Sequence, residues 1–422
     1  MNVHLTFNSQ PATRNRQLSI TGSKSETNRL LLLQALYPNL KLENTSNSDD
    51  SEVMSKALQN AQPLTLNPQL VDVHHAGTAM RFLTAYFAMQ EGKEVVLTGS
   101  ARMKERPIQI LVDALRQLGA EIRYEEKEGF PPLRIKGKKI SKSKVSLPAD
   151  VSSQYISALL LIAPKLEHGI ELTLEGKITS VPYIQMTLGL LNEIGVKTSF
   201  TRNTIKVNPQ PATRNPQTIT VESDWSSASY WYSIIALSEI GTQITLSSYK
   251  KNSLQGDSAL VQIYKDFGVE TIFENNSILL RKSSNPQPTT HNLQLNNSPD
   301  IAQTIAVTCF GLGLGCRLTG LHTLKIKETD RLEALKNELT KLGAVISVTN
   351  DSLILESYSP PLEGSPKGGV AIKTYQDHRM AMAFAPLALK VPIVIEEAEV
   401  VSKSYPTYWD DLKSIGFTVS EL

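Results

Sequence analysis

Six stretches of the chain place ionisable or hydroxyl side chains at the start of a strongly apolar run: SKSETNRLLLLQAL, HHAGTAMRFLTAYFAM, SSQYISALLLIAP, DWSSASYWYSIIAL, SPDIAQTIAVTCF and QDHRMAMAFAPLAL. A helix N-terminus offers unpaired N–H donors and the positive end of the dipole, so it suits an anion. The residues at these starts extend that offer: Lys24, Ser25 and Arg29; His75, Gly77 and Arg81; Ser152, Ser153 and Gln154; Asp224, Ser226 and Ser227; Asp300; and Asp377, His378 and Arg379. Ser and Asp are ordinary N-caps, and capping accounts for Asp224, Ser226 and Ser227 as well as a ligand does. Gly77 alone is equally a tight turn. Arg29 lies within a run of leucines, where an unpaired buried charge is costly, and Arg379 poses the same problem. Both are expected to face an anionic ligand, because a guanidinium fork matches phosphate and carboxylate.

Further polar groups lie off these starts. Arg106 stands in RMKERPI, before a helix expected to carry Pro107 in its first turn. Lys327, Glu328 and Arg331 stand at a helix entrance in KIKETDRLEALKNEL, with Thr329 as a candidate cap. Lys403, in VSKSYPTYW, reads on its own as a surface lysine. GSKS at 22–25 is not a nucleotide-binding loop, since it lacks the G-x-x-x-x-G-K-[ST] spacing.

The elements that must position these residues come from a repeat. An amphipathic helix, a glycine and an alternating strand recur at Gly119, Gly195, Gly268, Gly343 and Gly416, separated by 76, 73, 75 and 73 residues. Glycine ends a helix cheaply in the left-handed conformation. The apolar helices interleave with this pattern at Ser25, Gly77, Ser153, Ser227, Asp300 and His378, spaced 52, 76, 74, 73 and 78. They are apolar nearly all round and are expected inside, covered by sheets. The chain therefore reads as α/β: six α+β units, the first shorter, in two similar three-unit domains. The expected domains are residues 22–221, and residues 1–21 with 222–422.

The 422 residues are 41% hydrophobic with a net charge of +2, so anion affinity must come from local clusters. That balance, with 6% aromatic content, argues against a nucleic-acid binder. No run approaches the roughly 20 apolar residues of a membrane span, and the opening residues lack a signal-peptide pattern, so a cytoplasmic protein is expected. Cys309 and Cys316 are expected as buried thiols, and no metal site is expected. Three Pro/Asn segments, at 8–15, 208–215 and 285–292, read as loops.

GSKSETNR, AGTAMR, RMKERP, SSQY, SVPYI, SDWSSASY, SPDIAQT, KETDR, QDHRMAMAF and SKSYP occur in the order found in the 5-enolpyruvylshikimate-3-phosphate synthase family, which the chain resembles from about residue 20 onward. The resemblance implies an inside-out α/β barrel in each domain, built of three βαβαββ units with helices within and sheets outside. It implies an active site in the cleft between domains that close on substrate. The implied reaction moves the enolpyruvyl group of phosphoenolpyruvate to shikimate 3-phosphate by addition and elimination, without metal or organic cofactor. By resemblance, Asp300 takes the hydroxyl proton, and Glu328 protonates the methylene carbon with Lys24 touching both substrates. Lys24, Ser25, Arg29, Ser152, Ser153, Gln154, Ser180, Asp300 and Lys327 hold shikimate 3-phosphate. Lys24, Gly77, Arg106, Gln154, Arg331, Arg379 and Lys403 hold phosphoenolpyruvate. Members are usually monomeric, so a monomer is expected.

The chain departs from the family pattern at His75, Phe82, Thr323 and Gln376, which bears on substrate affinity and on the response to the inhibitor glyphosate. The sister enzyme acting on UDP-N-acetylglucosamine uses a cysteine in its first half, whereas no cysteine here precedes residue 309. An inactive binding relative is the remaining alternative, although the acid, the base and the arginines are all present.

Overall fold

The computed structural model describes residues 1–7, 16–59, 68–150, 152–176, 178, 181–210, 217–357 and 369–422. The chain divides into two compact units, Gly22–Val221 and Met1–Thr21 with Glu222–Leu422.

In the Gly22–Val221 unit, one sheet runs in the order Gln69–Asp72, Glu94–Thr98, Leu133–Lys136, Glu121–Tyr124. Its first pair is parallel and the next two pairs are antiparallel. This is the signature of βαβαββ: a helix carries the chain between the parallel strands, a second helix follows, and a hairpin completes the sheet. A second sheet repeats the pattern with Lys144–Pro148, Ile170–Glu175, Thr204–Val207 and Thr198–Thr201. The third has two described strands, Leu40–Glu43 and Gln217–Thr220, in parallel. The shorter first unit of the sequence repeat lies here.

The other unit holds three four-stranded sheets of the same pattern. In one of them Val3–Phe7 pairs antiparallel with both Ile393–Ile395 and Phe417–Glu421. That pairing ties the first strand of the chain to the last.

The apolar helices fill both cores, as their composition requires. Every residue of the Gly77–Ala88 helix is buried. The Ser153–Ile162, Trp225–Leu237 and Ala302–Gly311 helices are nearly as enclosed. The amphipathic helices bury one stripe only; Gln109–Leu118 hides Leu111, Val112, Ala114, Leu115 and Leu118. The five repeat glycines all have left-handed backbone, with φ of 105°, 87°, 79°, 92° and 108° in chain order. Each would strain a residue bearing a Cβ.

Four local expectations need correction. Pro107 precedes the Gln109–Leu118 helix, whose N-cap is Ile108, so it lies outside the first turn. Thr329 does not cap; the Asp330 carboxylate accepts the N–H groups of Leu332 and Glu333. Asp300 sits in a 3-10 turn, Pro299–Ile301, ahead of the α-helix that begins at Ala302. In the segment at 285–292, His291 and Asn292 already belong to a strand. The segment at 8–15, and the part of 208–215 from residue 211 onward, lie outside the described residues. Cys309 and Cys316 are both buried and free. Among the described residues no helix is long and apolar enough to cross a membrane.

Candidate active site

In the Gly22–Val221 unit, Arg29 enters the core on the second turn of the Lys24–Leu36 helix and is buried. Its Nε donates to Thr187 Oγ1 at 2.8 Å, Nη1 to the Ser25 carbonyl at 2.7 Å and Nη2 to Ser157 Oγ at 3.0 Å. The guanidinium lies over the Phe82 ring, 5.4 Å from its centroid. Every one of these partners is neutral. Burial accordingly pushes the Arg29 pKa down to about 10. Lys24, at the start of the same helix, pairs with Asp50 at 3.3 Å.

Gly77 begins the next buried helix with the Arg106 guanidinium directly above it. A Cβ at Gly77 would stand 2.5 Å from Arg106 Nη1, so the glycine makes room for the cation. Arg81, one turn further, is also buried. It donates to the carbonyls of Gly77 at 3.2 Å and Pro107 at 3.1 Å. Burial, and then the neighbouring Arg106 charge, lower its pKa to about 10. Among the described residues neither Arg29 nor Arg81 has a carboxylate in ion-pair contact. Ser152 caps the third helix through the Gln154 N–H, Ser153 is its first residue, and the Gln154 amide donates to Thr78 Oγ1 at 3.1 Å. Ser180 lies outside the described residues.

The second unit gathers cations of the opposite kind. Arg331 opens the Arg331–Lys341 helix and is 2% exposed. Its Nη1 meets Asp300 at 2.9 Å, Nη2 meets Glu328 at 2.8 Å and Nε meets Asp377 at 2.6 Å. Burial alone would lower its pKa; Asp377, Glu328 and Asp300 together hold it above the ordinary arginine value. Arg379 lies 3.6 Å from Asp300 and donates to the Asp300 carbonyl and to Ser226 Oγ, each at 3.3 Å. Lys327 approaches Asp300 at 3.4 Å. Asp300 is therefore bracketed by three cations. Ser226 in turn donates to Asp257, a buried carboxylate whose pKa is raised to about 7 by burial and by the Asp300 charge. Lys403 donates to the Gln376 carbonyl at 2.8 Å.

Within each unit the expected residues thus fall into coherent groups: Lys24, Ser25 and Arg29 with Gly77, Arg106 and Gln154 in one, and Asp300, Lys327, Glu328, Arg331 and Arg379 in the other. Sequence reasoning missed their supports. Asp50 reads as an ordinary acid in a helix's first turn, and Thr187 and Ser157 as ordinary helical hydroxyls. Asp377 was named at a helix start but given no task, yet it holds Arg331 and caps the helix of Arg379. Among the departures, His75 contacts Ser100 Oγ at 3.1 Å, Phe82 is the platform for Arg29, and the buried Thr323 hydroxyl has no partner among the described residues.

Solved structures share this architecture. The chain is similar over its full length to an EPSP synthase of Acinetobacter baumannii, with a TM-score of 0.80 at 21% identity and full coverage of both chains. That likeness fixes the fold class: two-domain α/β with repeated units. The sequence goes further. The family model described as EPSP synthase (3-phosphoshikimate 1-carboxyvinyltransferase) matches residues 40–412. A Bacteroides fragilis protein named 3-phosphoshikimate 1-carboxyvinyltransferase is 46% identical over 97% of this chain and 98% of its own. Proteins of the same name from Shewanella pealeana and Haemophilus influenzae are 36% and 35% identical, each over 94% of this chain and 96% of their own. The chain belongs to the EPSP synthase family.

Proposed function

We propose that the chain transfers the enolpyruvyl group of phosphoenolpyruvate to the 5-hydroxyl of shikimate 3-phosphate and releases inorganic phosphate, a step of aromatic amino-acid biosynthesis. The observation that carries this reading is Asp300 held among Lys327, Arg331 and Arg379. A carboxylate so placed can take a hydroxyl proton while its neighbours hold the negative charges of the substrates.

In the addition step the shikimate oxygen bonds to C2 of phosphoenolpyruvate, Asp300 takes its proton, and Glu328 supplies a proton to C3. The tetrahedral intermediate then loses phosphate from C2 and a proton from C3. Lys24 touches both substrates. Ser25, Arg29, Ser152, Ser153, Gln154, Ser180 and Lys327 hold shikimate 3-phosphate. Gly77, Arg106, Gln154, Arg331, Arg379 and Lys403 hold phosphoenolpyruvate. Arg29, whose partners are all neutral, supports this division, because an incoming anion gives its charge a counter-ion. The enzyme works as a cytoplasmic monomer on small molecules, without nucleic acid or membrane.

The test is inorganic phosphate release from the purified protein. Release that needs phosphoenolpyruvate and shikimate 3-phosphate together supports the reaction. A folded protein that binds both and releases nothing is an inactive relative, and one that fails to bind shikimate 3-phosphate acts on another acceptor.

A further inference from the structure

The Arg331–Lys341 helix carries a second buried acid two turns beyond Arg331, on the same face. Glu338 is fully buried. Oε1 accepts the Tyr375 hydroxyl at 2.7 Å. Oε2 accepts the Lys373 N–H at 3.1 Å and pairs with the Lys341 ammonium. Lys373 and Tyr375 lie on a turn in which Tyr375 and Gln376 both take left-handed backbone, with φ of 53° and 57°. Side-chain-bearing residues disfavour that conformation, and two in succession persist only where surrounding contacts impose it.

What the turn delivers explains why it is held so firmly. The Gln376 carbonyl accepts Lys403 Nζ at 2.8 Å. Asp377, the next residue, takes Arg331 Nε at 2.6 Å and caps the following helix through the Arg379 N–H at 2.8 Å. One helix face therefore grips the turn twice, at Asp377 through Arg331 and at Tyr375 and Lys373 through Glu338. Three cations take their placement from it.

We propose that Glu338 and Tyr375 form a positioning pair that sets Arg331, Arg379 and Lys403 for phosphoenolpyruvate by holding the 373–377 turn. This rests on the reading above that those three cations bind phosphoenolpyruvate. The pair touches no substrate and acts only through the turn.

Tyr375→Phe removes a single hydroxyl, and Glu338→Ala removes the anchor. Glu338→Gln keeps an acceptor and should rescue part of the loss. In Tyr375→Phe the KM for phosphoenolpyruvate should rise about tenfold, equivalent to about 1.4 kcal/mol. The KM for shikimate 3-phosphate should stay within about twofold, because most of its ligands lie in the other unit and, among the described residues, none contacts this turn directly. Exchange of the Arg331 Nε–H, followed by nitrogen-15 NMR, should quicken in both Tyr375→Phe and Glu338→Ala. Unchanged phosphoenolpyruvate KM and unchanged Arg331 exchange in folded variants would overturn the proposal, as would an equal rise in both KM values. If the parent protein releases no phosphate, the functional reading has failed by itself. Arg331 exchange still decides the positioning claim: quicker exchange supports it, and unchanged exchange removes it.

Discussion

Two arginines in each unit, three of them buried and Arg379 partly so, are compensated in opposite ways. Arg331 and Arg379 are surrounded by carboxylates, and their pKa values lie above the ordinary arginine value. Arg29 and Arg81 are surrounded by hydroxyls, carbonyls and aromatic rings, and burial brings both down to about 10. The residue type is the same, so the difference lies in what is left to be bound. The Arg29 environment supplies hydrogen-bond acceptors that fix the guanidinium's geometry, and the Glu26 charge offsets its burial only in part, a site that gains when an anion arrives. The Arg331 environment is balanced before any substrate binds. Its guanidinium fixes the three acids beside it at 2.6 to 2.9 Å. The same residue type thus sits among neutral partners in one unit and among carboxylates in the other.

The largest effect that sharpens this contrast is on turnover. Asp300→Ala should lower kcat by about a hundredfold to ten-thousandfold, the range of a lost general base, with modest change in substrate affinity. Near-parental turnover would remove Asp300 from the chemistry. Next in size is stability. Arg331→Met removes the buried cation shared by Asp300, Glu328 and Asp377, and unfolding by urea should show a loss of about 3–5 kcal/mol. Arg29→Met removes a charge that Glu26 offsets only in part, so its loss should be smaller, about 1 kcal/mol. Equal losses in the two variants would erase the distinction between the units.

The repeat explains how much of this was legible. Helix-ending glycines and all-apolar helices are local features, and five left-handed glycines and enclosed helices stand where the spacing puts them. The candidate arginines were legible too, because arginine inside a leucine run is an anomaly at any fold. Their supports were not. Arg29 is fixed by Thr187 and Ser157, which are 158 and 128 residues away along the chain, and nothing in a single sequence pairs such positions. The turn before Asp377 escaped for another reason. Left-handed backbone is read from glycine, and here Tyr375 and Gln376 adopt it under tertiary constraint. Thr329 and Pro107 show a smaller failure: neighbouring residues compete for cap and first-turn positions, and composition does not choose between adjacent candidates.

Binding affinity comes third. Arg29→Met, stable by the measure above, should lose about 1.5–3 kcal/mol of shikimate 3-phosphate affinity, the worth of a hydrogen bond to a charged group. Titration calorimetry reads it directly. Unaltered affinity would mean that the neutral surroundings of Arg29 are a core arrangement with no ligand to await.

The smallest expected effect concerns Asp257, the one acid of the balanced unit whose pKa is pushed up to about 7. Burial and the Asp300 charge favour its protonated form in the folded chain, against an ordinary value of 3.8. Between those values the folded state binds more protons than the unfolded one, so stability falls as pH rises through about 7. Asp257→Asn, which cannot ionise, should escape that fall. Its Tm relative to the parent should therefore climb between pH 5 and pH 8, by something of the order of one or two degrees. A gap that stays flat across that range would mean that the Arg379 charge already compensates Asp257 as fully as it does Asp300. The balance in this unit would then extend through Ser226 to every acid around Arg379, and the contrast with Arg29 and Arg81, which no carboxylate among the described residues touches, would be sharper still.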